Sequence, residues 1–173
     1  MNGLWGRSAR RCGNQFIRED EPDKVNIDVG GLGIGVYDRL LEMGHRRSVV
    51  NPVNFGGKPI EPAPLDETGK PAGGPANRRA ETWSNLKRAL EAGRFSLPDS
   101  DSLQADLVSV GYKYTSDGKL LLESKQDMRK RGVPSPDEAD AVALCFSEPD
   151  GAAFPRDQNF HRDLRDRYEG LYI

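Results

Sequence analysis

The stretch from Lys24 to Leu40, KVNIDVGGLGIGVYDRL, constrains the chain more than any other. Val25 to Val29 has the branched apolar character of a short buried strand. It runs into Gly30, Gly31, Gly33 and Gly35, and then into a helical pattern over residues 35–44. Val36, Leu40 and Met43 share one face of that helix, and Gly44 is its C-terminal stop. The next strand candidate is Ser48 to Val53, SVVNPV. Strand, helix and strand in this order form a βαβ unit, which requires a parallel pair joined by a right-handed crossover. Asp28 then stands near the C-terminal end of the first strand, where ligands gather in open α/β sheets. A carboxylate there either caps the turn or the following helix, or it holds a metal, because burying it unpartnered is costly.

The rest of the chain supplies a second carboxylate of the same kind. Ser135-Pro136-Asp137-Glu138 reads as a helix start, with serine as N-cap, proline in the first turn and Glu138 closing a capping box. The residues from Ala139 to Phe146 are apolar except at Asp140, the pattern of a buried helix. Asp140 has no basic residue adjacent in sequence to neutralise it. Asp137, three positions earlier, lies on a similar face and either joins a site or merely favours the helix N-terminus. Carboxylate oxygens suit hard divalent cations such as magnesium or manganese. Two such ions can stabilise both the attacking and the leaving oxygen of a phosphodiester displacement.

Several stretches remain between these two. Residues 1–23 carry a weak helical pattern around Arg10 to Arg18 and end in Glu21-Pro22-Asp23. Residues 54–77 are dominated by proline and glycine and read as a long mobile loop. Lys58, Lys70, Arg78 and Arg79 give that region phosphate-binding potential, although a solvated insertion fits equally. A helix over Arg78 to Ala92 places Trp83, Leu86 and Leu90 at core spacing and stops at Gly93. Leu103 to Val108 suggests a short helical segment. Ser116-Asp117-Gly118 joins two strand-like runs as a hairpin. Lys125, Arg129, Lys130 and Arg131 make a basic turn of helix that is either a solvated face or a phosphate-contacting patch.

Composition narrows the classes. With 36% hydrophobic residues among 173 and a mean hydropathy of -0.70, part of the length must be loop or tail. The net charge of -2 gives no global basic field, so any nucleic-acid contact must be local. Cys12 and Cys145 fit no metal spacing and read as reduced thiols of a cytosol. No apolar run reaches membrane-spanning length, and no signal peptide is evident. A nucleotide loop at Gly31, Gly33 and Gly35 is disfavoured. The dinucleotide fingerprint needs glycine where Val36 stands, and the P-loop Gly-Lys-Ser/Thr is absent.

Five blocks, taken in order, carry a family resemblance: DKVNIDVGGLGIGVYDRL, VNFGGK, NRRAETW, YKYTSDGKLLLESKQDMRKRG and SPDEADAVAL. Over residues 8 to 148 the chain resembles the C-terminal nuclease domain of the tailed-phage terminase large subunit. The resemblance implies an α/β, ribonuclease H-like mixed sheet flanked by helices. It also implies a metal-dependent endonuclease that cuts concatemeric DNA during genome packaging, with two Mg2+ or Mn2+ ions in the complete domain. By position, Asp28 matches the second acidic residue of the family site and Asp140 the third. Asp137 matches one that approaches the metal in some members. The first acidic residue and the ATPase domain would precede residue 1, so residues 1–148 are expected to form a partial domain and 149–173 a charged tail. Impaired cleavage follows, and the alternative is a non-catalytic DNA-binding or assembly fragment. The implied partners are double-stranded DNA, contacted by Lys58, Arg78, Arg79, Lys125, Arg129, Lys130 and Arg131, and, within a packaging complex, the terminase small subunit, the portal protein and the ATPase portion. The implied location is the host bacterial cytoplasm.

Overall fold

The order strand, helix, strand is realised at the start of the chain. A computed structural model describes residues 13–93 and 95–148. The charged tail 149–173, Cys12 and the beginning of the Arg10–Arg18 pattern lie outside these. After helix α1 (Gly13–Asp20), strand β1 (Val25–Asp28) pairs in parallel with β2 (Val50–Val53), from Val25 opposite Val50 to Asp28 opposite Val53. Helix α2 (Gly33–Glu42) makes the crossover. It begins two residues earlier than the glycine content suggests, because a close approach and not helix propensity sets its start. A Cβ at Gly33 would lie 1.8 Å from the carbonyl oxygen of Asp28. Only glycine lets the helix begin against the strand end.

Two expectations change here. β1 is half-buried along its whole length, since β2 is its one strand neighbour among the described residues. The buried stripe of α2 is Tyr37 and Leu40, while Val36 is 52% exposed and Met43 39%. A two-stranded sheet covers too narrow a strip of the helix to bury the wider face. Tyr37 and Leu40 meet Ile17 and Val50 in a first core, with Val25, Ile27 and Val29 packed against it.

A second core lies between α3 (Arg78–Glu91) and α6 (Asp137–Leu144), where Leu86 and Ala89 meet Ala143 and Phe146. Phe95 adds its ring at 4.9 Å from that of Phe146. Leu86 belongs to the core as expected, but Leu90 is 38% exposed. Helix α6 is not buried all round either, because Ala141 and Cys145 face solvent. Its N-terminus differs from the expected capping box as well. The Ser135 hydroxyl turns to Asp137, and Glu138 accepts from Ser102 instead. The orphan N–H groups of Glu138 and Ala139 donate to Oδ2 of Asp106 at 2.9 and 3.4 Å, from helix α4 (Asp101–Ser109). A neighbouring helix thus supplies the cap that local sequence was expected to supply.

The hairpin forms as expected, with β3 (Tyr112–Tyr114) antiparallel to β4 (Leu120–Leu122) and Gly118 at φ 76° in the turn. The 54–77 segment is not the free loop expected of its composition. Ala76 N–H donates to Leu120 O and Leu120 N–H to Gly74 O, both at 2.8 Å, which ties its end to β4. The backbone N–H groups of Ile60 and Glu61 donate to the Glu81 carboxylate. Helix α5 (Lys125–Lys130) follows β4. The described strands therefore lie in two separate two-stranded sheets within an α/β arrangement. No helix among the described residues is long and apolar enough to cross a membrane.

Candidate active site

The C-terminal end of β1, the start of α3 and the start of α5 border one open cleft of about 930 Å³, lined among others by Asp28, Phe55, Arg79, Tyr112 and Lys125. Asp28 is half-buried there. Its Oδ1 accepts from Gly30 N at 3.0 Å and Phe55 N at 3.4 Å, and among the described residues its Oδ2 has no partner. It therefore does both things a strand-end carboxylate can do: one oxygen shapes the glycine turn, and the other is left to the cleft.

Asn77 caps α3 by accepting from Ala80 N at 2.9 Å, which fixes where Arg78 and Arg79 stand. Arg79 N–H donates to Phe55 O at 3.0 Å, so the backbone of Phe55 joins Asp28 on one side to Arg79 on the other. The Arg79 guanidinium joins α6 to the segment that follows β4. Nε donates to Asp140 Oδ1 at 2.9 Å, Nη2 to Asp140 Oδ2 at 3.3 Å, and Nη1 to the Glu123 carbonyl at 2.9 Å. It also lies 5.9 Å from the centre of the Trp83 ring.

Asp140 is thus not the unneutralised carboxylate expected from its neighbours in sequence. It is 5% exposed, and besides Arg79 it accepts from Trp83 Nε1 at 2.9 Å and pairs with Lys125 Nζ at 3.0 Å. Every donor lies on another element, the nearest 15 residues away in the chain (140 − 125). Asp137 sits beside it on the exposed side, where Oδ1 accepts from Ser135 Oγ at 2.6 Å and Lys125 Nζ at 2.9 Å. The Ser135 hydrogen bond, helped by Lys125, holds the Asp137 carboxyl below its ordinary range. Burial alone would depress the Lys125 ammonium, but hydrogen bonds to Asp137 and Asp140 outweigh it and raise it above the ordinary lysine value.

The remaining basic residues divide sharply. Arg78, expected at the surface, is buried, and its guanidinium pairs with Glu81 in the first turn of α3. Arg131 bonds Glu123 and the Ser109 carbonyl, each at 2.6 Å, and thereby lowers the Glu123 carboxyl. Lys130 pairs with Asp127 at 2.7 Å. Lys58 and Arg129 are exposed. Trp83, read from its spacing as core, turns out to bond the site carboxylate. The sequence signal for this is its i, i+4 relation to Arg79, which puts both on one face of α3. Phe55 and Glu81 carried no sequence signal, since one acts through its backbone and the other by clamping a loop.

The carboxylates offer the hard oxygen donors that magnesium and manganese take. Asp28 has an oxygen to give. Those of Asp140 are bonded by protein cations and an indole. Among the described residues no group of three or more acidic, histidine or cysteine side chains converges as a metal site.

Neither a family model nor a curated protein sequence matches the chain. Solved structures do. The nuclease domain of the large terminase subunit gp2 of bacterial virus Sf6 superposes with a TM-score of 0.60 at 23% identity, over 79% of this chain and 70% of that one. This chain has the fold of a terminase nuclease domain. A lysine-to-alanine mutant of the gp2 domain with manganese and beta-thujaplicinol matches at 22% identity, with the same score and coverage. The corresponding mutant with calcium matches at 25% identity, again with a TM-score of 0.60 over 79% of this chain and 70% of that one. The terminase nuclease fold thus accounts for the α/β, ribonuclease H-like arrangement of β1, α2, β2 and the later helices.

Proposed function

We propose that this chain is a nuclease segment of a phage large terminase subunit, which hydrolyses phosphodiester bonds of concatemeric double-stranded DNA with the help of divalent metal. The observation that carries this reading is Asp28, at a strand end of a terminase nuclease fold, with an unbonded oxygen in the cleft that Arg79 and Lys125 also line. Asp28 and Asp140 would hold the cation, with Asp137 as a third donor. When bound, it would polarise the phosphodiester and favour hydroxide over water. The chain's own residues set the terms on which it binds. Lys125 Nζ stands at both Asp137 Oδ1 and Asp140 Oδ2, so a cation taking those oxygens competes with the ammonium. Arg79 fixes the orientation of the Asp140 carboxylate through two hydrogen bonds. Lys125 and Arg131, which line the cleft, with Lys58, Arg129 and Lys130, are the candidates for backbone phosphate contacts. Arg78 is not among them, because it is enclosed with Glu81.

Cleavage by the chain is expected to be slow, since few acidic oxygens are available to divalent ions. Incubation with supercoiled plasmid and millimolar manganese should give metal-dependent nicking that Asp28→Asn abolishes without loss of fold. A second reading, a non-catalytic DNA-binding or assembly piece, is favoured by the saturation of Asp140 with protein donors. It predicts a salt-sensitive gel shift of duplex DNA with no nicking under any metal. Nicking that survives Asp28→Asn would defeat the first reading. On either reading the setting is the packaging machinery in the bacterial cytoplasm, with the terminase small subunit, the portal protein and an ATPase portion as partners.

A further inference from the structure

The lining of the Asp28 cleft carries four cations among the described residues: Arg79, Lys113, Lys125 and Arg131. Three of them are neutralised within the protein. Arg79 is held by Asp140, Lys125 by Asp137 and Asp140, and Arg131 by Glu123. The lining carboxylates Glu123 and Asp127 are matched in the same way, by Arg131 and by Lys130. Two charges are left over. Asp28 keeps an oxygen without a donor, and Lys113 has no carboxylate within ion-pair distance among the described residues. Its effect on Asp127 is a through-space pull, smaller than that of Lys130.

Strand geometry turns Lys113 toward the cleft. Side chains alternate along β3. Tyr112 and Tyr114 touch edge to face at 6.1 Å and border an apolar hollow beside Trp83 and Leu90, whereas Lys113, between them, borders the cleft and is exposed. Nothing in the sequence singles it out, since a lone lysine between tyrosines reads as the polar face of a hairpin. Its freedom from partners decides what it can do. A lysine that leaves a carboxylate to bind a phosphate exposes that carboxylate to counter-ions, so the net release is small. An unpaired ammonium adds the full release of the ions condensed on the phosphate.

We infer that Lys113 is the residue by which the β3–β4 hairpin grips a backbone phosphate of duplex DNA lying in the Asp28 cleft. The inference rests on reading that cleft as a DNA site. It divides the work between two elements: β1 supplies the free carboxylate oxygen and the hairpin supplies the free cation. A lysine binds phosphate as a point charge, so the contact positions the duplex without choosing its sequence. The competing role is that of a charge guarding the open edge of a two-stranded hairpin, which is independent of DNA.

The full chain is titrated into a fluorescently labelled duplex at a series of potassium chloride concentrations, with chelator present to prevent cleavage. Lys113→Ala is expected to reduce the slope of log K against log salt by about 0.9, the release from one phosphate. It should also weaken binding several-fold at low salt, equally on duplexes of unrelated sequence. Lys113→Arg should restore both. Lys119→Ala, on the same hairpin but paired with Asp117 at 2.6 Å, should leave the slope unchanged. Circular dichroism checks that each variant keeps its fold. A slope in Lys113→Ala equal to the parent's would overturn the inference and leave Lys113 as a guard of the strand edge. An equal fall in Lys119→Ala would overturn it too, because the net charge of the hairpin and not a contact would be acting. Failure of the parent to bind duplex DNA would overturn both the inference and the reading it rests on. The expected slopes without metal-dependent nicking by the parent would uphold the inference and remove the nuclease reading alone.

Discussion

Asp140 is the residue on which the neighbourhood in space departs furthest from the neighbourhood in sequence. A surface or repelling carboxylate would tolerate or welcome neutralisation. The one observed is enclosed with Arg79, which is 9% exposed, and is further held by Trp83 and Lys125. Removing its charge leaves a buried guanidinium without its counter-ion, a loss of about 3 kcal/mol for pairs of this kind. Asp140→Asn is therefore expected to lower stability by about that amount in urea titration. A stabilised variant would mean that the carboxylates repel one another and that Arg79 does not hold the site. Lys125 gives a second residue-scale prediction, in pH. Its folded value is raised above the ordinary 10.5, so the stability it contributes is complete below that value and is lost as pH rises through the folded one. Asp137 has the opposite sign: its value lies below 3.8, and its contribution is lost only as pH falls through the folded value. Lys125→Met should flatten the alkaline limb of a Tm against pH curve and shift the acid limb toward higher pH. An alkaline limb unchanged by the substitution would show that the ammonium does not bind these carboxylates.

At the scale of elements, what could be read from sequence was pattern, and what could not was partnership. The strand–helix–strand order, the Ser116–Gly118 turn and the helix from Arg78 to its glycine stop were legible because each is set by local periodicity and turn residues. The buried stripe of α2, the cap of α6 and the anchoring of residues 54–77 were not, because each depends on an element distant in sequence. Asp106 lies 32 residues before Glu138, whose N–H it accepts. Asp106→Ala should cost about 1 kcal/mol, the usual loss of a helix cap. Fraying in the first turn of α6, read by amide exchange at Glu138 and Ala139, locates the loss, and unchanged protection there would mean that the cap contributes nothing. The junction of β1 and α2 is stricter. A methyl group at Gly33 would meet the Asp28 carbonyl oxygen at 1.8 Å, a backbone contact no rotamer relieves. Gly33→Ala should thus destabilise by about 3 kcal/mol, at the upper end for overpacking. It should also displace Asp28, so that nicking of plasmid falls more steeply than stability alone explains. A variant as stable as the parent would show that α2 starts elsewhere.

Across the whole molecule, the candidate site draws on both cores at once. Asp28 belongs to the sheet that packs on Ile17, Tyr37 and Leu40, whereas Arg79 and Asp140 belong to the helices around Leu86 and Phe146. The sequence made Asp28 and Asp140 visible as candidates through their apolar surroundings, but it could not show how they are joined. That connection is made by groups far apart in the chain, the backbone of Phe55 and the side chain of Arg79. A second link between the two halves is Asn26. Its Nδ2 donates to the Leu144 carbonyl at 2.9 Å while its Oδ1 accepts from Asn51 Nδ2 at 2.8 Å. One amide therefore ties β1 both to β2 and to the end of α6. In Asn26→Ala the Leu144 carbonyl retains the Ser147 N–H while the Asn51 amide loses the Asn26 oxygen, a cost of about 1 kcal/mol. Because the lost bonds span the cores, cooperativity between them should fall as well. In a Trp5→Phe background, Trp83 fluorescence follows the second core, and far-ultraviolet circular dichroism follows both. Their urea transitions should coincide in the parent and separate in Asn26→Ala, with the second core melting independently of the first. Coincident transitions in the variant would mean that the two cores are coupled by other contacts and that Asn26 serves its local strand pair alone.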